Sequence, residues 1–274
     1  MIYKRPNSIH TSSQDYIKVY GNEAGAKQNF FNLGAGSWVH PCWTNVDLPP
    51  QTPEFAAIQA PCLKHDFVKD KVLPIDSNTV EAFYCSHVVE HIPVDANLNM
   101  FKETFRCMRK GGTFRISTGP CADMDWNALM RKDNYWWYFY DDEDFVASVM
   151  KDKPMMSLFD KWLYHVATPK SIYSKTISPI KYSSKEIEGL IKQHRGKMEV
   201  LLDYLTNDIE FDINFPGNHI SWWNFERLYK YLKIAGFKTI YKSGYGQSRC
   251  HWMRDLDYFD QTYPQISVYV EAVK

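Results

Sequence analysis

The chain has 274 residues, 45% of them apolar and 23% charged, which excludes a disordered polymer, a collagen and a coiled-coil rod. Its 32 basic residues cancel its 32 acidic ones, so no global field draws it to nucleic acid or an acidic membrane. No run approaches the roughly 18 consecutive apolar residues of a membrane span, and residues 1–28 hold no apolar stretch like that of a secretory signal, so a cytoplasmic protein is expected.

In chain order, "NFFNL" (29–33) reads as a compact apolar strand ending at glycines, and "WTNVDL" (43–48) as a short second strand stopped by Pro49 and Pro50. "VEAFYCS" (80–86) is a third. Residues 93–112 then read as a helix: Leu98, Phe101, Phe105 and Met108 give one apolar face, Arg109 and Lys110 suit the negative end of the dipole, and Gly111 suits the stop. "TFRIST" (113–118) is another strand, ended by Gly119 and Pro120. Strands alternating with helices predict a parallel sheet covered on both faces.

The character changes at about residue 121. From there to about 220 the pattern is helical and aromatic: "NYWWYFY" (134–140) carries six aromatic residues in seven, and Ser183 with Glu186 forms a capping box before a long helical stretch. The sheet pattern then resumes. "SWWNFERLYKYLKIAGF" (221–237) reads as an amphipathic helix ended by Gly236, and "KTIYKSGYG" (238–246) and "QISVYVEAVK" (265–274) as the last strands. Their connection shows no clear helix, so they are expected to pair antiparallel. A single domain follows, with a core of about 29–120 and 221–274 and a helical insertion of about 121–220 over the edge where the sites lie. The six cysteines (Cys42, Cys62, Cys85, Cys107, Cys121, Cys250) form no Cys-x-x-Cys pair, so free thiols are expected and no cysteine metal site.

In an open parallel sheet, ligands bind beyond the carboxyl ends of the strands. Gly34 and Gly36 end the first strand there, permitting a tight turn and close approach of a ligand to the backbone. Asp47, at the tip of the second strand, can accept from both hydroxyls of a ribose. Asp66 beside Phe67 suits an adenine, whose amino group donates to the acid while the base stacks; a solvated loop acid explains Asp66 equally well. A dinucleotide is disfavoured, because Val39 stands at the third glycine position and Asp47 follows Gly36 by 11 residues, not the usual ~20.

"NFFNLGAGSWVHPCWTNVDL", "HDFV…LPIDSNTVEAFYCSHVVEHI" and "FRCMRKGGTFRISTGP", in this order, resemble class I S-adenosylmethionine-dependent methyltransferases. The likeness is to the type 11-like group with Asn-Leu-Gly-x-Gly and a nearby Trp-x-Asn-Val-Asp, often linked to surface-sugar biosynthesis; it covers about 29–120 and returns at 217–274. The resemblance implies an α/β, Rossmann-like three-layer sandwich, mostly parallel with an antiparallel last strand. It implies S-adenosyl-L-methionine as cofactor, with Asn32, Gly34, Ala35 and Gly36 along its methionine end, Asp47 at the ribose, Asp66 and Phe67 at the adenine, and Ser86 and His87 beside the methionine moiety. Two departures stand out: Asn32 replaces the usual acid, and Trp38 the usual third glycine. The link from Gly36 to Asp47 leaves room for one helical turn at most.

"HVVEH" (87–91) also matches His-x-x-Glu-His, a zinc-ligand order in which His87 and His91 share a helix face and Glu90 is the base. Pro93 disfavours helix at Ile92 and leaves such a helix about five residues, with no third ligand announced, so no metal is expected. In the methyltransferase reading the same loop faces the transferred methyl. His91, His87, Glu90 and His219 are then candidate bases for a hydroxyl acceptor. Each is alternatively a structural histidine or capping acid, and positioning alone can suffice. Trp126, Tyr135, Trp136, Trp137, Tyr138 and Tyr140 are either a wall for a small-molecule or glycan acceptor or a satellite core. Arg249 and Arg254 point to an anionic acceptor or to a solvated loop. The alternatives in other classes are a nicotinamide oxidoreductase, a non-catalytic nucleoside-binding scaffold and, remotely, a zinc hydrolase.

Overall fold

The computed structural model describes residues 29–50, 53–150, 153–194 and 196–274; the N-terminal segment read for a signal lies outside them. Among the described residues no helix is long and apolar enough to cross a membrane. The chain divides into two compact units. The first comprises the described residues up to Val88 together with Val94–Thr118 and Phe225–Lys274; the second comprises Val89–Pro93 and Gly119–Asn224.

The first unit is built on a seven-stranded sheet in the order β3-β2-β1-β4-β5-β7-β6. Its strands are β1 (Phe30–Leu33), β2 (Thr44–Asp47), β3 (Leu63–Lys64), β4 (Val80–Ser86), β5 (Met108–Thr118), β6 (Thr239–Ser243) and β7 (Val268–Val273). β1 to β5 run parallel, and β7 is antiparallel to both β5 and β6. A short helix, α1 (Pro53–Ile58), lies between β2 and β3. This strand order, mostly parallel with an antiparallel β7, makes an α/β, Rossmann-like sheet, as the sequence predicts.

Strand alternation sorts the side chains between two faces. Phe31, Phe83 and Phe114 stand in register and make one apolar row. Helices α2 (Val94–Cys107) and α8 (Phe225–Ala235) cover that face, with Phe101 and Phe237 meeting Phe114. The opposite face carries Phe30, Ala82 and Tyr84, and its covering layer is the β6–β7 connection, through Trp252, Met253 and Phe259. Trp38, where the family pattern has glycine, joins this layer: its ring meets Trp43, Tyr84 and Phe259, and its indole N–H donates to the Tyr258 carbonyl at 2.6 Å.

The helix after β4 differs from expectation at its end and on its face. It stops at Cys107, and Met108 opens β5, so Arg109, Lys110 and Gly111 belong to a strand with a register shift rather than to a helix terminus. Its buried residues are Ala96, Asn97, Met100, Phe101, Thr104 and Cys107; of the apolar face read from the sequence, Phe101 is buried here and Met108 in β5, while Leu98 and Phe105 are half-buried. The polar members are accommodated: the Thr104 hydroxyl donates to the Met100 carbonyl at 2.7 Å. No helical turn lies between β1 and β2.

The second unit is helical: α3 (Ala122–Arg131), α4 (Glu143–Val149), α5 (Leu158–Val166), α6 (Ser184–Gln193) and α7 (Met198–Thr206). The capping box of Ser183 and Glu186 starts α6, and Ser157 with Asp160 makes a second one at α5. The long helical stretch read after Ser183 is two helices, with Gly196 between them at a φ of +68° that L-residues rarely adopt. Trp137, Trp162, Leu163, Ile187, Leu201 and Leu205 form the core of this unit.

Candidate functional site

The parallel order brings the carboxyl ends of β1, β2 and β4 to one edge of the sheet, and the order reverses direction at β1. Gly34, just past β1, has a φ of +67°, and its N–H donates to the Val46 carbonyl of β2 at 2.8 Å. A Cβ on Gly34 would sit 2.3 Å from a Val88 methyl, so this glycine lets the loops after β1 and β4 close on each other. Gly36 is different. Its φ is +55°, and a Cβ there would meet nothing within 4 Å. It therefore leaves open space over a backbone turned toward the edge.

The Gly36 N–H donates to Asp47 Oδ2 at 2.6 Å, and the Leu48 N–H donates to Oδ1 at 2.7 Å. Asp47 is thus tied to the glycine turn it was paired with from sequence. A carboxylate has about four acceptor sites, so two of them stay available for hydroxyls. Nearby, burial and the Asp47 charge push the Cys62 thiol pKa up. Asn32 is buried in β1, in register with Asn45 and Tyr84, and Ala35 is buried inside the turn.

Asp66 Oδ1 accepts the Val68 and Lys69 N–H groups, at 3.0 and 3.2 Å, so this acid builds its own turn. Phe67 is 6% exposed, with its ring edge-on to His65. Burial is the largest cause lowering the His65 pKa, against the charge of Asp70. At the end of β4, Ser86 Oγ accepts from Ser117 Oγ at 2.9 Å. His87 follows with a φ of +53° and its N–H on the Ser117 carbonyl. Its Nε2 lies 2.8 Å from Ser267 Oγ, while that hydroxyl donates to the Tyr263 carbonyl. Ser267 has one proton to give, so His87 Nε2 carries the hydrogen and Nδ1 the lone pair.

The other three base candidates belong to the second unit, where Glu90, His91 and His219 converge with one ligand-type atom from each within 4.8 Å of the others. Glu90 and His91 lie on a 3-10 turn, Val89–His91. His91 Nε2 stands 4.0 Å from Glu90 Oε1, and His91 Nδ1 is 3.1 Å from the Asn218 carbonyl. His219 Nδ1 bonds the His165 carbonyl. Desolvation, aided by neighbouring His91 and His165, holds the His219 pKa down to about 3. His165 Nδ1 in turn lies 2.6 Å from Asp125 Oδ2, whose other oxygen accepts the Trp136 indole N–H at 2.8 Å. His87 and His91, paired in the sequence motif, thus sit in different units, and His219 completes the group instead. Sequence spacing alone could not pair His219 with His91.

The aromatic stretch divides. Trp137 and Tyr140 are core, Trp126 packs edge-on to Trp162, and Tyr135 and Tyr138 are 89% and 58% exposed. Arg249 and Arg254 are exposed; the Arg249 N–H donates to Glu271 and the Arg254 side chain to the Ser248 carbonyl. Sequence reasoning missed the residue to which this loop is anchored: Arg115, fully buried on β5, bound to Asp260 and Glu271.

No protein-family model and no curated protein matches the chain. Solved structures do. An S-adenosylmethionine-dependent methyltransferase of Archaeoglobus fulgidus is 11% identical, with 96% of this chain and 95% of that one covered, at a TM-score of 0.42. Another from Mesorhizobium loti is 10% identical over 96% and 99%, at 0.39. A third from Thermotoga maritima is 11% identical over 95% and 94%, at 0.38.

Proposed function

We propose that the chain binds S-adenosyl-L-methionine at the carboxyl edge of β1, β2 and β4 and transfers its methyl group to a small-molecule or glycan acceptor. The observation that carries the reading is the open Gly36 turn bonded to Asp47 on the neighbouring strand. A side chain at Gly36 would occupy the space a ligand needs, and Asp47 keeps acceptor capacity for two ribose hydroxyls. Asn32, Gly34, Ala35, Ser86 and His87 line the methionine side in this proposal, and Asp66 carries the adenine contact, since Phe67 is already packed against His65.

When bound, the sulfonium supplies an activated methyl carbon for in-line displacement. The chain's part is to align the acceptor, exclude water and, for a hydroxyl, accept its proton. His87 is the base in this proposal: the contact of its Nε2 with Ser267 orients the ring at the end of β4. Glu90, His91 and His219 are the other candidate bases, carried by the second unit. A nicotinamide dinucleotide is disfavoured by the same turn, since no helix begins within residues 37–50 to receive a pyrophosphate.

Calorimetry with S-adenosylhomocysteine tests the reading. Saturable binding is expected, and Asp47→Ala should weaken it about tenfold to a hundredfold, as loss of hydrogen bonds to a charged group does. Unchanged affinity in the variant, or tighter binding of NAD than of S-adenosylhomocysteine, would overturn it. Release of S-adenosylhomocysteine with any member of an acceptor panel separates an enzyme from a scaffold that only holds the nucleoside.

A further inference from the structure

We propose that Glu90, His91 and His219 form a binding site for a divalent transition-metal ion of the zinc type. Three acceptor groups face one another within 4.8 Å in the second unit. The direction of each imidazole follows from its partner. A carbonyl can only accept, so His91 Nδ1 donates to Asn218 and His219 Nδ1 donates to His165. Both Nε2 atoms therefore carry lone pairs. This is the arrangement that orients metal-ligating histidines, in which the second nitrogen is held by a carbonyl or carboxylate.

The scaffold around the group is fixed by hydrogen bonds. The Glu90 carbonyl accepts the N–H groups of Ile220 and Ser221, at 2.9 and 3.2 Å. The Ser221 hydroxyl and the Trp223 indole both donate to the Val89 carbonyl. His219 is clamped on both backbone sides by Thr168, whose hydroxyl accepts its N–H and whose N–H donates to its carbonyl, each at 3.0 Å. Thus backbone hydrogen bonds join the 3-10 turn to the segment 218–221 and hold the two imidazoles and the carboxylate near one another.

Two imidazoles and one carboxylate are a common zinc ligand set with a position left for water, and the same set suits Co²⁺ and Fe²⁺. Metal–ligand bonds of about 2.0–2.2 Å place tetrahedral donors about 3.4 Å apart. The 4.0 Å between His91 Nε2 and Glu90 Oε1 must therefore close by roughly half an ångström, and a separation at the 4.8 Å limit of the group by about 1.4 Å. Side-chain rotation supplies that movement. His91 retains 22% exposure, which gives an ion a path to the buried carboxylate. Pro93 disfavours a helix bearing both histidines of the motif; this site needs no such helix, because its third ligand comes from residue 219.

The test uses the full chain stripped of metal with chelator. Titration with Co²⁺ should give one saturable site with the visible absorption of a low-symmetry ion, and Zn²⁺ should displace it. Glu90→Gln, His91→Ala and His219→Ala should each weaken binding more than about 100-fold, beyond the cost of losing an outer partner, while His194→Gln leaves it unchanged. His91→Cys should bring a sulfur-to-cobalt charge-transfer band, a readout that survives if an alanine variant does not fold. Absence of saturable Co²⁺ binding, native affinity in any of the three ligand variants, or a folded His91→Cys protein without the new band would each overturn the proposal. None of these readouts depends on nucleoside binding, so the site and the methyltransferase reading fail separately.

Discussion

Arg115 offers the sharpest test of how the core unit is held together. All five of its N–H donors are used: Nε and one Nη2 hydrogen on Asp260, one Nη1 hydrogen on Glu271 at 3.1 Å, and the others on Ser243 Oγ at 3.0 Å and the Gly244 carbonyl at 2.8 Å. Arg115, Asp260 and Glu271 have no exposed side-chain surface. Arg115→Met keeps much of the volume but strands two carboxylates. Removing one partner of a buried pair costs about 3–5 kcal/mol, and two anions left together put this variant at the upper end. Asp260 keeps the Gly246 N–H, and Glu271 keeps the Ser248 and Tyr241 hydroxyls, which hold the loss near that value. At about 2–4 °C per kcal/mol for a unit of this size, the melting temperature should fall by roughly 8–20 °C.

Urea unfolding followed by tryptophan fluorescence measures the loss. A loss under about 1 kcal/mol would refute the reasoning.

The two glycines of the β1 turn should separate by role. Gly34→Ala meets Val88 at 2.3 Å as well as an unfavourable φ, and should cost about 2–5 kcal/mol in urea unfolding; Gly36→Ala carries the φ cost alone, about 1–2 kcal/mol, but should weaken S-adenosylhomocysteine in calorimetry. Burial lowers the His40 pKa from 6.5 to about 4. The unfolded chain then binds the proton more tightly, so this residue's stability contribution is full above pH 6.5 and falls by about 3 kcal/mol as pH drops to about 4. His40→Gln should flatten that part of the stability profile, and a difference between native and variant that does not change with pH would contradict the assignment.

What the sequence determined by itself was local. β1, β4 and the capping box at Ser183 are written in adjacent residues, because an apolar run and a Ser-x-x-Glu spacing act within a few positions. The Gly36–Asp47 pair was legible for the same reason: a turn at the end of one strand and an acid at the end of the next meet in any parallel β1–β2 pair. Tertiary structure decided the rest. The buried stripe of α2 shifted from the one its apolar residues suggest because α2 must meet α8 as well as the sheet, and Thr104 could be buried with its hydroxyl on the helix backbone. Whether the 134–140 aromatics were core or surface depended on which of them met α5, so Trp137 went inside while Tyr135 stayed out. Arg115 found its carboxylates on the β6–β7 connection and on β7 itself, and His219 came to Glu90 and His91 across the whole helical unit. Charges and lone pairs carry no periodicity, so no spacing foretells their partners; only the folded backbone sets the distances at which they act.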